Sequence, residues 1–382
     1  MDNSWFTNMK LKWATMTKGL PYSQSMTEQM YQIYLNHHKI IHFREGCPVY
    51  SLSSPALYSK PMANFTSRIF YGVLQNRKFP NMMSFAVSDD CDMECKHCSF
   101  FEGVADESKK MLTLAEAQQF IRDAQELGVS VISFTGGEPL QREDFCDILK
   151  TVDKNISTTL MFTNGFKLAE KASALKKAGL DSVYISIDSA EAKQHDELRG
   201  VDGAFSQAIS GIKAAKKNNL SVGISTCMFP ESLENGDLEK VIEFGKTLKV
   251  HEILIFCAAP SGRLRDREDL IEPTDWIDDV MKFTEKYSKD KNYPGILSYN
   301  YNASHKAVGC SGGSRWFYAS PYGDISPCDF NHYIFGNIRD TPLYKIWEEM
   351  SLNKPFDKST WGGCKLRQKT FREGEYKEFI KP

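Results

Sequence analysis

No stretch of this 382-residue chain approaches the roughly 20 apolar residues that a bilayer-crossing helix needs. Its start, Met1-Asp2-Asn3-Ser4, lacks the charged region and apolar core of a secretory signal, so a cytoplasmic location is expected. Neither sign of charge is in excess: 47 Lys and Arg stand against 49 Asp and Glu, for a net charge of −2 at pH 7. A balanced chain gives no electrostatic reason to expect nucleic acid or a strongly anionic partner. These absences bear on the ten cysteines. In a secreted chain they would suggest disulfides, whereas reduced thiols that cluster more often bind metal. The length allows a large core in about two folding units.

What is present begins with three cysteines in one short stretch, Cys91-Asp92-Met93-Glu94-Cys95-Lys96-His97-Cys98, directly after the β-prone run Met83–Ser88. Soft thiolate ligands suit iron–sulfur clusters and zinc alike. A structural zinc site wants four ligands, usually as two separated C-x2-C pairs, and no second pair lies nearby. His97 is a conceivable fourth ligand, but Cys98 already occupies that turn. Three thiolates on a tight loop can instead hold three irons of a four-iron cube and leave the fourth open.

The C-x3-C-x2-C spacing, the strand before it and the later Gly136-Gly137-Glu138-Pro139 resemble the radical S-adenosylmethionine (radical SAM) superfamily. The resemblance implies a [4Fe-4S] cluster on Cys91, Cys95 and Cys98 whose open iron chelates the amino and carboxylate groups of SAM. Reductive cleavage then gives a 5′-deoxyadenosyl radical that abstracts hydrogen from substrate. It also implies that His97 lies near the adenine and that the Gly136, Gly137, Glu138, Pro139 edge bonds the SAM amino group. Asn164, Ser186 and Asp188 fall where relatives contact ribose and carboxylate. Arg199, in His195-Asp196-Glu197-Leu198-Arg199-Gly200, could pair bidentately with the SAM carboxylate. Arg263, in Pro260-Ser261-Gly262-Arg263, is a weaker candidate.

The middle of the chain alternates strand and helix. Thr113 and Glu116 read as a capping box opening a helix to about Leu127. Strands are expected at Val129–Phe134, Thr158–Phe162, Ser182–Ile187, Ser221–Met228 and Glu252–Cys257, with helices such as Ala204–Lys216 and Leu238–Leu248 between them. With the strand before Cys91 this makes six β/α units, hence an α/β fold with a parallel sheet and right-handed crossovers. It matches the partial (β/α)6 TIM-like barrel that the resemblance implies. The polar punctuation falls at the C-terminal ends of strands, where parallel barrels place their active sites.

The C-terminal quarter runs Cys310, Gly323, Cys328, Phe335-Gly336-Asn337-Ile338 and Cys364. This succession resembles the SPASM/Twitch extension, which implies auxiliary iron–sulfur chemistry. Where relatives show C-x2-C, this chain has Cys364-Lys365-Leu366-Arg367, so one auxiliary [4Fe-4S] cluster on Cys310, Cys328 and Cys364 is the economical expectation. Asp329, His332 and Cys47 are conceivable fourth ligands. The expected organisation is a mainly helical N-terminal segment over 1–80, a radical SAM barrel over 81–292 and the auxiliary-cluster extension over 293–382. A flavodoxin- or ferredoxin-type electron donor is implied. The substrate is a peptide by breadth of the family, with a small molecule or lipid or cofactor precursor close behind. A non-catalytic iron–sulfur or zinc protein is the reading from a different class.

Of the other cysteines, Cys146 reads as core on a helix. Cys227 and Cys257 sit near strand ends, as barrel packing or as a thiol that hands hydrogen to substrate. The first eighty residues hold helix-like stretches at Met26–Leu35 and Ala63–Gln75. In the second, Phe65, Ile69, Phe70, Val73 and Leu74 form a stripe expected to pack on the host domain. Its polar face is too poor in Lys and Arg for a membrane-surface helix, so membrane contact is not expected. His37, His38 and His42 read as solvated surface.

Overall fold

The computed structural model describes residues 39–271, 275–304, 306–357 and 363–379. A hairpin of β1 (His42–Arg44) and β2 (Cys47–Val49) comes first, then α1 (Lys60–Gln75). The alternating region follows as β3 (Met82–Ser88), α2 (Leu114–Leu127), β4 (Val131–Gly136), α3 (Phe145–Lys150), β5 (Thr158–Thr163), α4 (Leu168–Ala178) and β6 (Ser182–Ser186). It continues with α5 (Ala192–Arg199), α6 (Ala204–Lys217), β7 (Ser221–Met228), α7 (Pro230–Glu234), α8 (Asp237–Thr247) and β8 (Glu252–Cys257). Strands β3 to β8 pair in chain order, every pair parallel. The six expected units are therefore present.

Each element follows from its residues. At α2, Thr113 Oγ1 accepts from Glu116 N at 3.3 Å and Glu116 Oε2 accepts from Thr113 N at 2.8 Å, the reciprocal cap that the sequence indicates. The parallel strands are buried on both faces and so read as continuous apolar runs rather than alternating ones. Their outward residues, such as Met161, Val183, Ile185, Ile253 and Ile255, share one large core with helix residues including Phe120, Ile121, Leu175 and Val241. The residues between them, Leu160, Tyr184 and Leu254, point into the barrel and pack with Phe162 and Phe256.

The same sheet runs on beyond the six units. After α9 (Asp275–Tyr287), β9 (Gly295–Ser298) pairs parallel with β8 and leads into the short helix α10 (Tyr299–Asn302). At the other edge β10 (Trp316–Ala319) pairs parallel with β3, and β11 (Asp324–Ser326) and β12 (Gly336–Asn337) add antiparallel strands, for ten in this sheet among the described residues. The boundary expected at 292/293 thus falls just ahead of a strand that belongs to the barrel sheet. Two four-residue strands give too short a pattern to separate from loop or helix in sequence.

Of the N-terminal segment expected over 1–80, the described residues 39–80 carry a two-stranded hairpin besides α1. The expected Met26–Leu35 helix, His37 and His38 lie outside the described residues, whereas residues 42–57 close the lower end of the barrel. Arg44 donates to the side-chain hydroxyls of Thr158, Ser182 and Ser221 at 3.1, 2.5 and 3.1 Å, near the starts of three neighbouring strands. Val49, Leu52 and Ala56 enter the barrel against Leu160, Tyr184, Leu254 and Leu297. Glu252, at the start of β8, accepts through one oxygen from Leu52 N (2.7 Å), Ser51 Oγ (3.2 Å) and the Tyr184 hydroxyl. On α1, Phe65, Ile69 and Phe70 are half-buried, while Leu74 and Tyr71 are exposed. Among the described residues no helix is long and apolar enough to cross a membrane.

Burial pushes the Glu252 carboxyl up to about 7, against partial compensation by its three donors. A carboxyl whose folded pKa exceeds its unfolded one binds protons better when folded, so its contribution to stability falls as pH rises from about 4.5 through about 7. Glu252→Gln should remove that slope, worth on the order of 3 kcal/mol. Urea midpoints of variant and wild type, compared at about pH 5 and about pH 8, should shift in the variant's favour at the higher pH. Parallel pH profiles would contradict the assignment.

Candidate active site

The loop after β3 carries Cys91, Cys95 and Cys98, and three other segments hold it. Glu94 N and Lys96 N donate to the carbonyls of Arg199 (3.0 Å) and Leu198 (3.1 Å) at the end of α5. Arg263 donates from its backbone to Cys98 O at 3.0 Å and from Nη1 to Cys95 O at 2.8 Å. From the β4 side, Gly137 N and Glu138 N donate to Ser88 O (2.8 Å) and Asp90 O (2.7 Å). The two glycines are needed for that approach. Gly136 has φ +145°, and a Cβ there would stand 2.4 Å from Ser88 O; one at Gly137 would stand 2.3 Å from Asp90 O. The close approach they permit is to the chain's own cysteine loop.

Glu138 directs its carboxylate to the neighbouring strand end. It accepts from Thr163 Oγ1 (2.7 Å), Asn164 N (2.8 Å) and Leu140 N (3.1 Å). Burial pushes its pKa up to about 7 despite these donors. Asn164, so placed, donates from Nδ2 to Asp92 Oδ1 at 2.6 Å and faces Cys91 Sγ at 4.0 Å. Pro139 is buried at the start of a short turn and does not line the cavity.

Asp188, beyond the end of β6, is fully enclosed. Its carboxylate meets Arg199 Nη2 at 2.7 Å and His97 Nε2 at 3.3 Å, and accepts from Cys227 N at 2.9 Å. Burial opposes the Asp188 charge, but Arg199 and His97 outweigh it and hold the carboxyl below its usual range. Burial likewise opposes the Arg199 charge, and Asp188 with the Cys95 thiol, 3.6 Å from Nη1, more than restores it. Burial, with Arg199 nearby, lowers His97 to about 4 in spite of Asp188, so its imidazole is neutral. Arg199 is thus committed to Asp188 and Cys95 rather than left open to pair bidentately with an incoming carboxylate. Its Nε, His97 Nδ1 and Asp92 Oδ2 are buried with no hydrogen-bond partner among the described residues. Ser186 Oγ lies 3.4 Å from Ser225 Oγ.

Cys91, Cys95, His97, Cys98, Gly136, Gly137, Glu138, Asn164, Ser186, Asp188 and Arg199 border one cavity of about 360 Å³ inside the barrel, floored by Ser53 of the N-terminal segment, whereas Pro139 and Arg263 do not. Its walls are largely apolar and aromatic, with Phe162, Phe256, Tyr299, Trp316 and Phe330. Cys227 and Cys257 also border it while packing on apolar neighbours. Burial raises both thiols, Cys257 to about 12, so they stay protonated. Cys146 lies outside on α3 against the main core, as expected.

Of the second set of thiols, one reaches the same cavity. Cys310 borders it, and Cys328 lies close by: burial first, then the Cys310 and Cys364 thiols, pushes Cys328 up. Burial and then the Cys310 thiol push Cys364 up, and all three thiols act on the Tyr299 hydroxyl. Among the described residues no three Cys, His, Asp or Glu side chains close on a single metal ion. Of the conceivable fourth ligands, Cys47 is at the closed end of the barrel in β2. His332 faces a separate cavity. Asp329 borders the chamber, and burial pushes its carboxyl up to about 7. The aromatic wall and the Ser53 floor escaped sequence reasoning because they come from residues far apart in the chain with no motif.

The comparisons with known proteins agree with this geometry. The radical SAM superfamily model matches residues 85–245, and the iron-sulfur cluster-binding domain model, SPASM, matches residues 310–373. An AdoMet-dependent heme synthase of Methanosarcina barkeri is 28% identical over 70% of this chain and 82% of its own length. One of Nitratidesulfovibrio vulgaris is 27% identical over 70% and 78%. Among solved structures, Streptococcus suis SuiB bound to precursor peptide SuiA has TM-score 0.61 at 16% identity, covering 97% of this chain and 88% of that one. The enzyme anSMEcpe with bound AdoMet has TM-score 0.55 at 17% identity, covering 78% and 95%. Fold and matches together define an iron–sulfur enzyme that uses S-adenosylmethionine. The chain is a radical SAM enzyme with a C-terminal SPASM domain, and its cofactors are a [4Fe-4S] cluster with SAM and an auxiliary iron–sulfur cluster.

Glu138→Ala should leave Thr163, Asn164 and Leu140 donors unpaired in the interior and loosen the Asn164 side of the cavity. Loss of buried acceptors of this kind costs about 1–3 kcal/mol. SAM affinity of the reconstituted variant, by equilibrium dialysis, should fall about tenfold, or 1.4 kcal/mol, with iron content retained. Unchanged affinity would show that the carboxylate positions nothing SAM touches.

Proposed function

We propose that Cys91, Cys95 and Cys98 hold the catalytic cluster and that Cys310, Cys328 and Cys364 hold the auxiliary one, across a single substrate chamber. The observation that carries this reading is that Cys91, Cys95, Cys98 and Cys310 border one cavity, with the Cys328 and Cys364 thiols close to Cys310. The bound cluster and SAM supply a 5′-deoxyadenosyl radical able to abstract hydrogen; the protein's part is to bind, orient and shield. His97, Asn164, Ser186, Asp188 and Arg199, with the Gly136–Glu138 edge, form the SAM side. Arg199 and Asp188 neutralise each other and fix the cysteine loop, and the orphaned Arg199 Nε and His97 Nδ1 remain for polar groups of SAM. The aromatic walls exclude water. The Asp329 carboxyl, on the chamber wall beside Cys328, is placed to take the proton that an oxidised substrate releases. A cluster held by Cys310, Cys328 and Cys364 would supply an acceptor for the matching electron, and a flavodoxin- or ferredoxin-type donor would reduce the cluster held by Cys91, Cys95 and Cys98.

The reaction is therefore a hydrogen-abstracting oxidation, and the substrate is a small molecule with a mainly apolar body. An enclosed aromatic chamber supports this class, as do the heme synthases among relatives matched over more than two thirds of their length. Oxidative modification of a peptide is the second reading, favoured by the fold shared with SuiB, which was crystallised with a precursor peptide.

Anaerobic reconstitution with iron and sulfide counting tests the assignment. About eight irons per chain should fall to about four when Cys310, Cys328 and Cys364 are changed together to alanine. Dithionite-driven 5′-deoxyadenosine formation should persist in that variant and vanish when Cys91, Cys95 and Cys98 are changed. About four irons in both wild type and triple variant would remove the auxiliary cluster from these cysteines. Zinc in place of iron, with no deoxyadenosine, would sink the catalytic reading.

A further inference from the structure

The turn that carries Cys364 also buries a cation. Cys364 caps a single tight helical turn, Lys365–Arg367, and Arg367 N donates to Cys364 O at 3.2 Å. Arg367 stands where a C-x2-C pair begun at Cys364 would place its second cysteine. Its side chain is 3% exposed and runs back to the end of β8. There Nη2 donates to the carbonyls of Cys257 (2.9 Å) and Ala258, both on the chamber wall, and Nη1 donates to Leu270 O at 3.1 Å. The guanidinium lies 5.4 Å from the centre of the Trp276 ring.

Carbonyl dipoles solvate this charge but do not balance it. Among the described residues no carboxylate pairs with Arg367, and its Nε is buried without a hydrogen-bond partner. An uncompensated charge in the interior is costly and calls for an anion nearby. Of the thiols it acts on, Cys227 and Cys257 are raised by burial and stay protonated, which leaves Cys364. Three soft thiols that act on one another, Cys310, Cys328 and Cys364, suit an iron–sulfur group, which they would bind as thiolates and so supply the negative charge. The same sulfurs accept backbone donors: Cys328 Sγ from Asn331 N at 3.3 Å, and Cys364 Sγ from the N–H groups of Leu366 and Arg367. The trio of Cys91, Cys95 and Cys98 is set differently. Arg199 beside Cys95 is neutralised by Asp188 at 2.7 Å, and Glu138 and Asp92 act on the Cys91 thiol. On the SPASM side the Asp329 carboxyl acts on Cys328, but burial pushes it up to about 7, so it offsets the guanidinium only in part.

We infer that Arg367 is the counter-cation of the auxiliary cluster: its fixed, unpaired charge beside Cys364 raises the reduction potential of the group that Cys310, Cys328 and Cys364 hold. Reduction adds one electron, and a buried positive charge favours the more negative state. Hydrogen bonds to the sulfurs act in the same direction. The inference rests on the proposed function and deepens it, because it makes the auxiliary side the easier of the two to reduce and so the acceptor for an electron leaving the substrate.

A redox titration followed by electron paramagnetic resonance tests it on the full-length reconstituted chain, with Cys91, Cys95 and Cys98 changed to alanine so that only the auxiliary iron is read. Arg367→Gln should move the midpoint at least about 59 mV more negative, a tenfold shift in the oxidised-to-reduced ratio, with about four irons retained. Arg367→Lys keeps the charge and should stay closer to the parent. An unmoved midpoint in Arg367→Gln, or equal shifts in both variants, overturns the role of the charge while leaving the cluster assignment standing. Loss of iron from Arg367→Gln but not from Arg367→Lys supports the charge-balancing role. Loss from both would show that the guanidinium holds the fold through its carbonyl bonds, which overturns the inference. A parent chain that binds no iron overturns the proposed function, and the inference with it.

Discussion

The buried ion pair between Asp188 and Arg199 is the contact on which the rest of the site depends. Asp188 stands just beyond β6, and Arg199 ends α5, the helix that follows it. Their 2.7 Å contact ties the end of that helix to the rim of the barrel. From there, the carbonyls of Leu198 and Arg199 receive two backbone donors of the cysteine loop, and the guanidinium faces the Cys95 thiol. Removing one partner of such a pair strands a charge in the interior, typically at 3–5 kcal/mol. One interaction therefore fixes the helix, the loop and the electrostatics around a thiol together.

The barrel is open by construction, and the chain closes it with what lies outside the six units. Residues 42–57 fill the lower end, and β9, β10 and the SPASM strands extend the sheet on both edges. The consequence is a chamber with a floor, aromatic sides and thiols at two places on its wall. Enclosure matters for a reactive radical, because a dry and shaped site limits the partners it can meet. The SPASM domain is continuous with the barrel sheet rather than a separate body beside it, which is how Cys310 and Asp329 come to border the same space as Cys91.

Much of this was legible in the sequence, for physical reasons. Cys91, Cys95 and Cys98 declared themselves by spacing, and the buried parallel strands by apolar runs at regular intervals. The capping box at Thr113 was readable because both partners are local. The elements that escaped were those whose meaning lies in distant contacts. Arg44 looks like an ordinary polar residue until three hydroxyls from three strand ends surround it. Glu138 read as part of a ligand-binding edge, yet its carboxylate serves Thr163 and Asn164. Gly136 and Gly137 were recognisable as positions of close approach, but only the structure shows that the approaching group is the chain's own loop. Arg199 was readable as a candidate position; its pairing with Asp188 and Cys95 was not.

The central claim is that two clusters face one substrate chamber. An anaerobic crystal structure of the reconstituted chain with SAM, phased on iron anomalous scattering, tests it most directly. The account predicts two multi-iron peaks, one at Cys91, Cys95 and Cys98 with SAM against it and one at Cys310, Cys328 and Cys364, both bordering the space walled by Phe162, Phe256 and Tyr299. A single iron site, or two sites separated by packed protein with no shared cavity, would contradict it.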